Sequence, residues 1–256
     1  MTPPILAAPP DPRQSRNAPG RNTGRRRAGY RDPWRRARRI GLWVVLAGLL
    51  LPMPFIIAYR FVPPPITALM AIRSLEGAPL HRHWLPLDRI APSLMRAVVA
   101  SEDEKFCFHH GFDWQAIGAA WRDWRAGREP KGASTISMQT AKNLFLWPGR
   151  SILRKGIEAY LTVLIELFWD KHRIIETYLN VIEWGDGIYG AETASRIFFG
   201  KPAARLSPQE AALLAAVLPN PRRWSPARPD AYIAARAATI RARMADVTVP
   251  GVDGCR

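Results

Sequence analysis

Residues 40–59 read IGLWVVLAGLLLPMPFIIAY, twenty positions without a charge. At about 1.5 Å of rise per residue, a helix of that length matches the ~30 Å hydrocarbon layer of a bilayer. Pro52 and Pro54 weaken such a helix without forbidding it. A cleaved signal peptide would also pair a basic leader with an apolar core. Here the leader is long, the apolar run exceeds a usual signal core, and no clear small-x-small site comes after it. The run predicts a transmembrane helix over 40–60.

The segment before it is basic and poor in large aliphatics. Residues 1–39 hold eleven Arg against Asp11 and Asp32, a net +9 out of the chain's +16. The segment cannot bury enough apolar surface to offset its ordering entropy, so 1–39 reads as a disordered cytoplasmic tail. RRARR at 35–39 abuts the apolar run. The positive-inside rule therefore keeps this end in the cytoplasm and sends everything past about Arg60 across. The expectation is a single-pass protein of the cell inner membrane with a periplasmic domain. A topology signal accounts for the basic tail; membrane lipid is an expected partner and nucleic acid is not.

Beyond the membrane, RFVPPPIT (60–67) opens a stiff Pro-rich connector assigned to 61–85. One domain is expected over 86–230, then a C-terminal helix and tail at 231–256. The pattern is helical: APSLMRAVVASEDEKF has Pro92 in a first turn, and DWQAIGAAWRDWRAG stops at Gly127. RAGREPKG (125–132) is a basic loop, and Ser134 or Thr135 can cap the next helix. Residues 150–184 read as one long helix or two joined ones, and Ser207, Pro208 and Glu210 form a strong start signal. No alternating strand pattern appears, so the fold class is mostly α. The two cysteines, Cys107 and Cys255, are expected to be unlinked thiols. No Cys and His cluster has zinc spacing.

Three stretches carry groups that do chemistry. In SEDEKFCFHHGFD, Glu102 ends an apolar helix, with Asp103 and Glu104 directly after it and Phe106, Phe108 and Phe112 nearby. A carboxylate at the negative end of a helix dipole, partly buried, has its pKa raised toward the range useful for proton transfer. Taken alone, the run reads as readily as a solvated helix end. GASTISMQTAKN presents Ser134, Thr135, Ser137, Gln139, Lys142 and Asn143, with Thr135 and Lys142 two turns apart on one face. Such a face behind a helix N-terminus suits a phosphate, or is simply a capped amphipathic helix. In LRKGIEAYL, Arg154 and Lys155 lie four and three residues before Glu158, a second carboxylate beside two cations.

Together, SEDEKFCFHHGFD, GASTISMQTAKNLFLW, RKGIEAYLTVLIE and KHRIIETYLNVIEWGDGIYGAETASRIFFGK resemble, in order and spacing, the motifs of the peptidoglycan glycosyltransferases, from about Pro86 to Pro226. The stretch after Pro226 is too short for a penicillin-binding transpeptidase domain, so the monofunctional branch is expected. The resemblance implies a lysozyme-like, mostly α domain that polymerises lipid II into β-1,4-linked glycan strands and releases undecaprenyl pyrophosphate. Carried over residue by residue, Glu102 is the general base, Asp103 supports it, and Glu158 lies near the leaving pyrophosphate. The resemblance assigns Thr135, Gln139, Lys142 and Arg154 to the donor and its phosphates, Ser134 and Asn143 to the same substrate-binding stretch, and Phe106 and His109 to shaping the site.

It also leaves open a divalent cation (Mg2+ or Mn2+) at Glu158, though no metal site is assigned. Lipid II and the nascent glycan strand are the implied partners, with division or elongation proteins left open. Cys107 and Met138 depart from the common pattern without removing a charged group. NLFLWPG (143–149) is expected to help dip the domain into the membrane. The rival readings are a membrane-anchored lytic transglycosylase or muramidase, for which Lys142 and Arg154 would be idle, and a non-catalytic cell-wall scaffold.

Overall fold

The computed structural model of the chain describes residues 33–129, 132–149 and 151–255. The tail at 1–32, expected to be disordered, and Pro130 and Lys131 of the basic loop lie outside the described residues. The chain divides into two units, one ending at Ala47 and one running from Gly48. Helix α1 (Pro33–Leu50) takes in the RRARR that composition assigned to the tail. Its Leu42, Trp43, Val44 and Val45 are exposed. With α2 (Pro52–Phe61), it makes Trp34–Phe61 the one run, among the described residues, long and apolar enough to cross a membrane.

Within the second unit, Trp169 and Arg173 hold α2 and its C-terminal end by backbone carbonyls. Arg173 donates to Tyr59 O at 2.9 and 2.6 Å and to Val62 O at 2.8 Å, and the Trp169 indole donates to Ile56 O at 2.7 Å. The Tyr59 ring stacks on Phe145 with centroids 6.2 Å apart.

The connector expected over 61–85 gives way to structure much sooner. Thr67 caps α3 (Ala68–Leu75), its hydroxyl accepting from Met70 N at 3.2 Å, and α3 packs on α6 with Met70 buried. Next comes β1 (His81–Arg82), the first strand of a small sheet that sequence patterning did not anticipate. β1 pairs in parallel with β3 (Ile188–Tyr189), which pairs antiparallel with β2 (Glu183–Gly185), in the order β1-β3-β2. Strands of two or three residues are too short to alternate visibly. The turn joining β2 to β3 needs Gly187 at φ +68, where a Cβ would lie 2.1 Å from Pro79 O.

The helices around the site obey their local signals. α4 (Pro92–Glu102) starts on proline and buries Leu94, Met95, Ala97, Val98, Val99 and Ala100. α5 (Trp114–Arg125) is capped by Asp113 and has no buried residue. Thr135 caps α6 (Ile136–Phe145) and Ser151 caps α7 (Ile152–Phe168). The 150–184 stretch resolves into two helices, because Asp170 accepts from Arg173 N at 2.7 Å and starts α8 (Lys171–Val181) afresh. α6 packs against both α7 and α8.

α9 (Ala191–Phe199) comes after the sheet, and α10 (Pro208–Val217) starts on the capping box of Ser207 and Glu210. Its buried Ala211, Ala212, Ala215 and Ala216 let α4 and α11 (Ala231–Arg243) approach closely. The C-terminal helix α11 is therefore integral to the packed body rather than an appendage to it. The last correction concerns the cysteines, expected to be free: Cys107 and Cys255 form a disulfide across a separation of 148 residues.

Candidate active site

The acidic run separates into three environments. Glu102 is the last residue of α4, and its Oε2 accepts from Gln139 Nε2 at 2.9 Å. The other end of that amide accepts from the buried Tyr178 hydroxyl at 3.1 Å, which turns the NH2 group of Gln139 toward Glu102. Burial pushes the Glu102 carboxyl above its usual range, against the Gln139 hydrogen bond and the positive charges of Arg236 and Lys142, while Asp103 adds to the rise. Burial likewise pushes the Tyr178 phenol well above its ordinary value, so it stays a neutral donor.

Asp103 is buried. Its Oδ2 accepts from Ile136 N at 2.9 Å, and its Oδ1 lies 2.9 Å from His109 Nε2. It pins the acidic loop to the positive end of α6, so its support of Glu102 is structural. Glu104 is exposed and pairs with Arg243. Phe106 is fully buried, with Lys171 Nζ 4.6 Å from its ring centre, and so acts from the core rather than from the cleft wall. His109 orients Asp103 and faces an outer aromatic cavity.

Thr135 borders the same cleft as Glu102, but its hydroxyl is turned into the protein. That group donates to Gly111 O at 2.6 Å while accepting from Met138 N at 3.2 Å. One turn further, Gln139, Lys142 and Asn143 line a cavity of about 610 Å³ with Arg154 and Ser134. Burial, then Arg154 and Lys155, lower the Lys142 ammonium below its ordinary value, and Glu158 offsets part of that. Glu158 sits behind this wall and is 2 % exposed. Its Oε2 accepts from Arg154 at 2.5 Å and its Oε1 from Lys155 Nζ at 2.5 Å. Lys155 also donates to Ser134 Oγ at 3.2 Å.

Glu102 and Asp103 line a second cavity of about 430 Å³, roofed by Ala116, Ala119 and Ala120 of α5. Ser134 borders both cavities. Gln139 joins them too, lining the cationic one while bonding to the carboxylate of the other. Most of the sequence-predicted residues thus line an acidic cavity and a cationic one side by side, while Phe106, His109 and Glu158 stand outside both. Sequence reading missed Asn220 and Arg222, which lie after α10 and line the cationic cavity. Arg222 donates to Glu183 at 3.0 Å, a pairing no local spacing signals.

The transglycosylase family model matches residues 70–245, from α3 through α11. A biosynthetic peptidoglycan transglycosylase of Rhodospirillum centenum is 63% identical over 82% of this chain and 92% of its own length. Proteins of the same name from Caulobacter vibrioides and Xanthomonas campestris pv. campestris are 50% and 53% identical, over 83% and 86% of this chain and 91% and 93% of theirs. The matched span contains Glu102, Asp103, Ser134, Gln139, Lys142 and Arg154 of the two cavities, and the chain belongs to the transglycosylase family.

Proposed function

We propose that this chain polymerises lipid II into β-1,4-linked peptidoglycan strands, releasing undecaprenyl pyrophosphate. The observation that carries the reading is the adjacency of two opposite sites: a carboxylate with a raised pKa in one cavity, and Lys142 with Arg154 in the next. Glu102 takes the proton of the acceptor sugar's 4-hydroxyl as that oxygen bonds to C1 of the donor. The C1–oxygen bond to pyrophosphate breaks, and its electron pair leaves with the phosphate. Lys142 and Arg154 stabilise the charge that develops there, in place of a general acid. Inversion at C1 requires base and leaving group on opposite faces of the ring, as two neighbouring cavities allow.

Glu158 is a positioning group in this scheme. With both its oxygens engaged by cations, it holds Arg154 and Lys155 at the cavity wall. Among the described residues no three His, Cys, Asp or Glu side chains gather as a metal site. A divalent ion does not fit at Glu158, whose two oxygens are both held by cations.

The Trp34–Phe61 run supports a membrane anchor, with the basic N-terminal side cytoplasmic and the catalytic domain periplasmic. NLFLWPG contributes less surface than its composition suggests, since Leu144 and Leu146 are buried and Trp147 is exposed. Ile152 (94 % exposed), Leu153, Val163 and Leu167 of α7 extend an apolar surface suited to lipid. A lytic enzyme would need one acid and no cationic cavity, which favours synthesis. The test is full-length protein in detergent with labelled lipid II. Muramidase-sensitive polymer is expected from wild type and at least about a hundredfold less from Glu102→Gln; normal polymerisation by that variant would overturn the reading.

A further inference from the structure

α4 ends at Glu102 without a basic residue in its last turn, and Asp103 and Glu104 come directly after it. The helix dipole, the neighbouring acids and burial all act against a charged carboxylate at that point. Besides the Gln139 hydrogen bond, compensation comes from far along the chain, where α11 packs against α4. Arg236 and Arg243 of α11 line a cavity of about 280 Å³ together with Ser101, the residue before Glu102. Arg243 pairs with Glu104. Arg236 has a buried Nε without a hydrogen-bond partner, an uncommon state for a guanidinium, and its positive charge acts on Glu102.

We propose that Arg236 is the charge partner of Glu102, a positioning residue that opposes the α4 dipole and the adjoining acids across the α4–α11 contact. The proposal rests on the reading of Glu102 as the general base. Other groups face the same carboxylate or line its cavity. Asp103, Glu104 and Lys105 do so from its own loop, with His109 acting through Asp103. Asp113 and Asp123 come from α5 and its cap, Lys142 from α6, Tyr178 from α8 and Arg243 from α11. Of these cations, Arg243 pairs with Glu104, Lys105 donates to Gln115 and Lys142 also feels the charge of Glu158, while Arg236 has no carboxylate ion pair among the described residues.

The experiment measures kcat/KM of the full-length protein on labelled lipid II across pH, for wild type, Arg236→Gln, Arg236→Lys and Glu102→Gln. Removing the cation raises the pH at which Glu102 ionises. The acid limb of Arg236→Gln is expected to move up by about one pH unit. That is about a tenfold loss below the limb, recovered as pH rises. Arg236→Lys keeps the charge and returns the limb toward wild type. Thermal melts check that the variants fold, and Arg236→Met serves as a second neutral variant should the Gln form not fold. A wild-type limb in a folded neutral variant, or an equal loss at every pH, overturns the assignment. If Glu102→Gln polymerises, the base reading falls; if it is inert while the neutral Arg236 variants keep the wild-type limb, only the Arg236 assignment does.

Discussion

Glu158 is buried and Glu102 is partly buried at a cavity wall, and the surroundings of these two carboxylates are opposite. Glu102 receives one hydrogen bond from a neutral amide, and burial raises its pKa. Glu158 receives two charged donors at 2.5 Å, one on each oxygen. The first environment leaves room for a proton to arrive, and the second leaves neither oxygen without a cation. Two glutamates of the same intrinsic acidity are thus given opposite environments by their neighbours, and on the proposed reading one suits proton transfer and the other holds cations.

The widest separation is expected from conservative replacement of each. Glu102→Gln removes the base and should lower polymerisation by about 10²–10⁴-fold. Its stability should move the other way. A carboxyl with a folded-state pKa raised above the unfolded value destabilises the fold progressively as pH rises through that window, so the neutral variant should melt higher at neutral pH. A lower melting temperature together with full activity would erase the distinction drawn for Glu102.

Lys142 tests the cationic side. Lys142→Gln is expected to lose about 10²–10³-fold in kcat, the usual effect of deleting one donor to developing charge. Because burial lowers the ammonium's pKa, activity should decline on the alkaline side before an ordinary lysine would titrate. Lys142→Arg keeps the charge at any working pH, so a folded, active Arg variant should show that alkaline limb displaced upward. An unmoved limb would assign it to another group.

For Glu158 the larger effect is on stability. Glu158→Gln leaves Arg154 buried without its anion, and breaking such a pair costs about 3 kcal/mol, the lower end because Lys155 can turn to solvent. For a domain of this size that corresponds to a fall of about 6–12 °C in Tm. Loss of activity without loss of stability would instead give Glu158 a direct part in the chemistry.

The helices and their caps were legible because each rests on local signals. Pro92 starts α4, Thr135 caps α6, and Ser207 with Glu210 forms the box that starts α10. The candidate site residues were picked out through four ordered motifs, and the fold places Glu102, Gln139, Lys142 and Arg154 close together. The features that stayed hidden depend on distant contacts. Cys107 and Cys255 meet only because the tail folds back, Arg222 finds Glu183 across 39 residues of chain, and Arg236 reaches the end of α4 through helix packing. The inward turn of the Thr135 hydroxyl was hidden for the same reason, since Gly111 O is 24 residues away.

The smallest effect is expected at Tyr178, which touches neither cavity. Its hydroxyl donates to Gln139 Oε1 and so decides which end of that amide faces Glu102. Tyr178→Phe keeps the ring and the core packing but removes the donor. The Gln139 oxygen then lacks its partner, at a cost of about 1 kcal/mol or 2–4 °C in Tm. Freed to rotate, the amide would at times turn its oxygen toward Glu102 and repel the ionised base. A roughly threefold loss of kcat with a small upward shift of the acid limb is expected, since one charge-assisted hydrogen bond is weakened rather than deleted. Tyr178→Phe combined with Glu102→Gln should then lose nothing further, because a Gln at 102 offers both a donor and an acceptor to either end of the amide. An additive loss in the double variant would mean that Tyr178 acts on the reaction by some path other than Glu102.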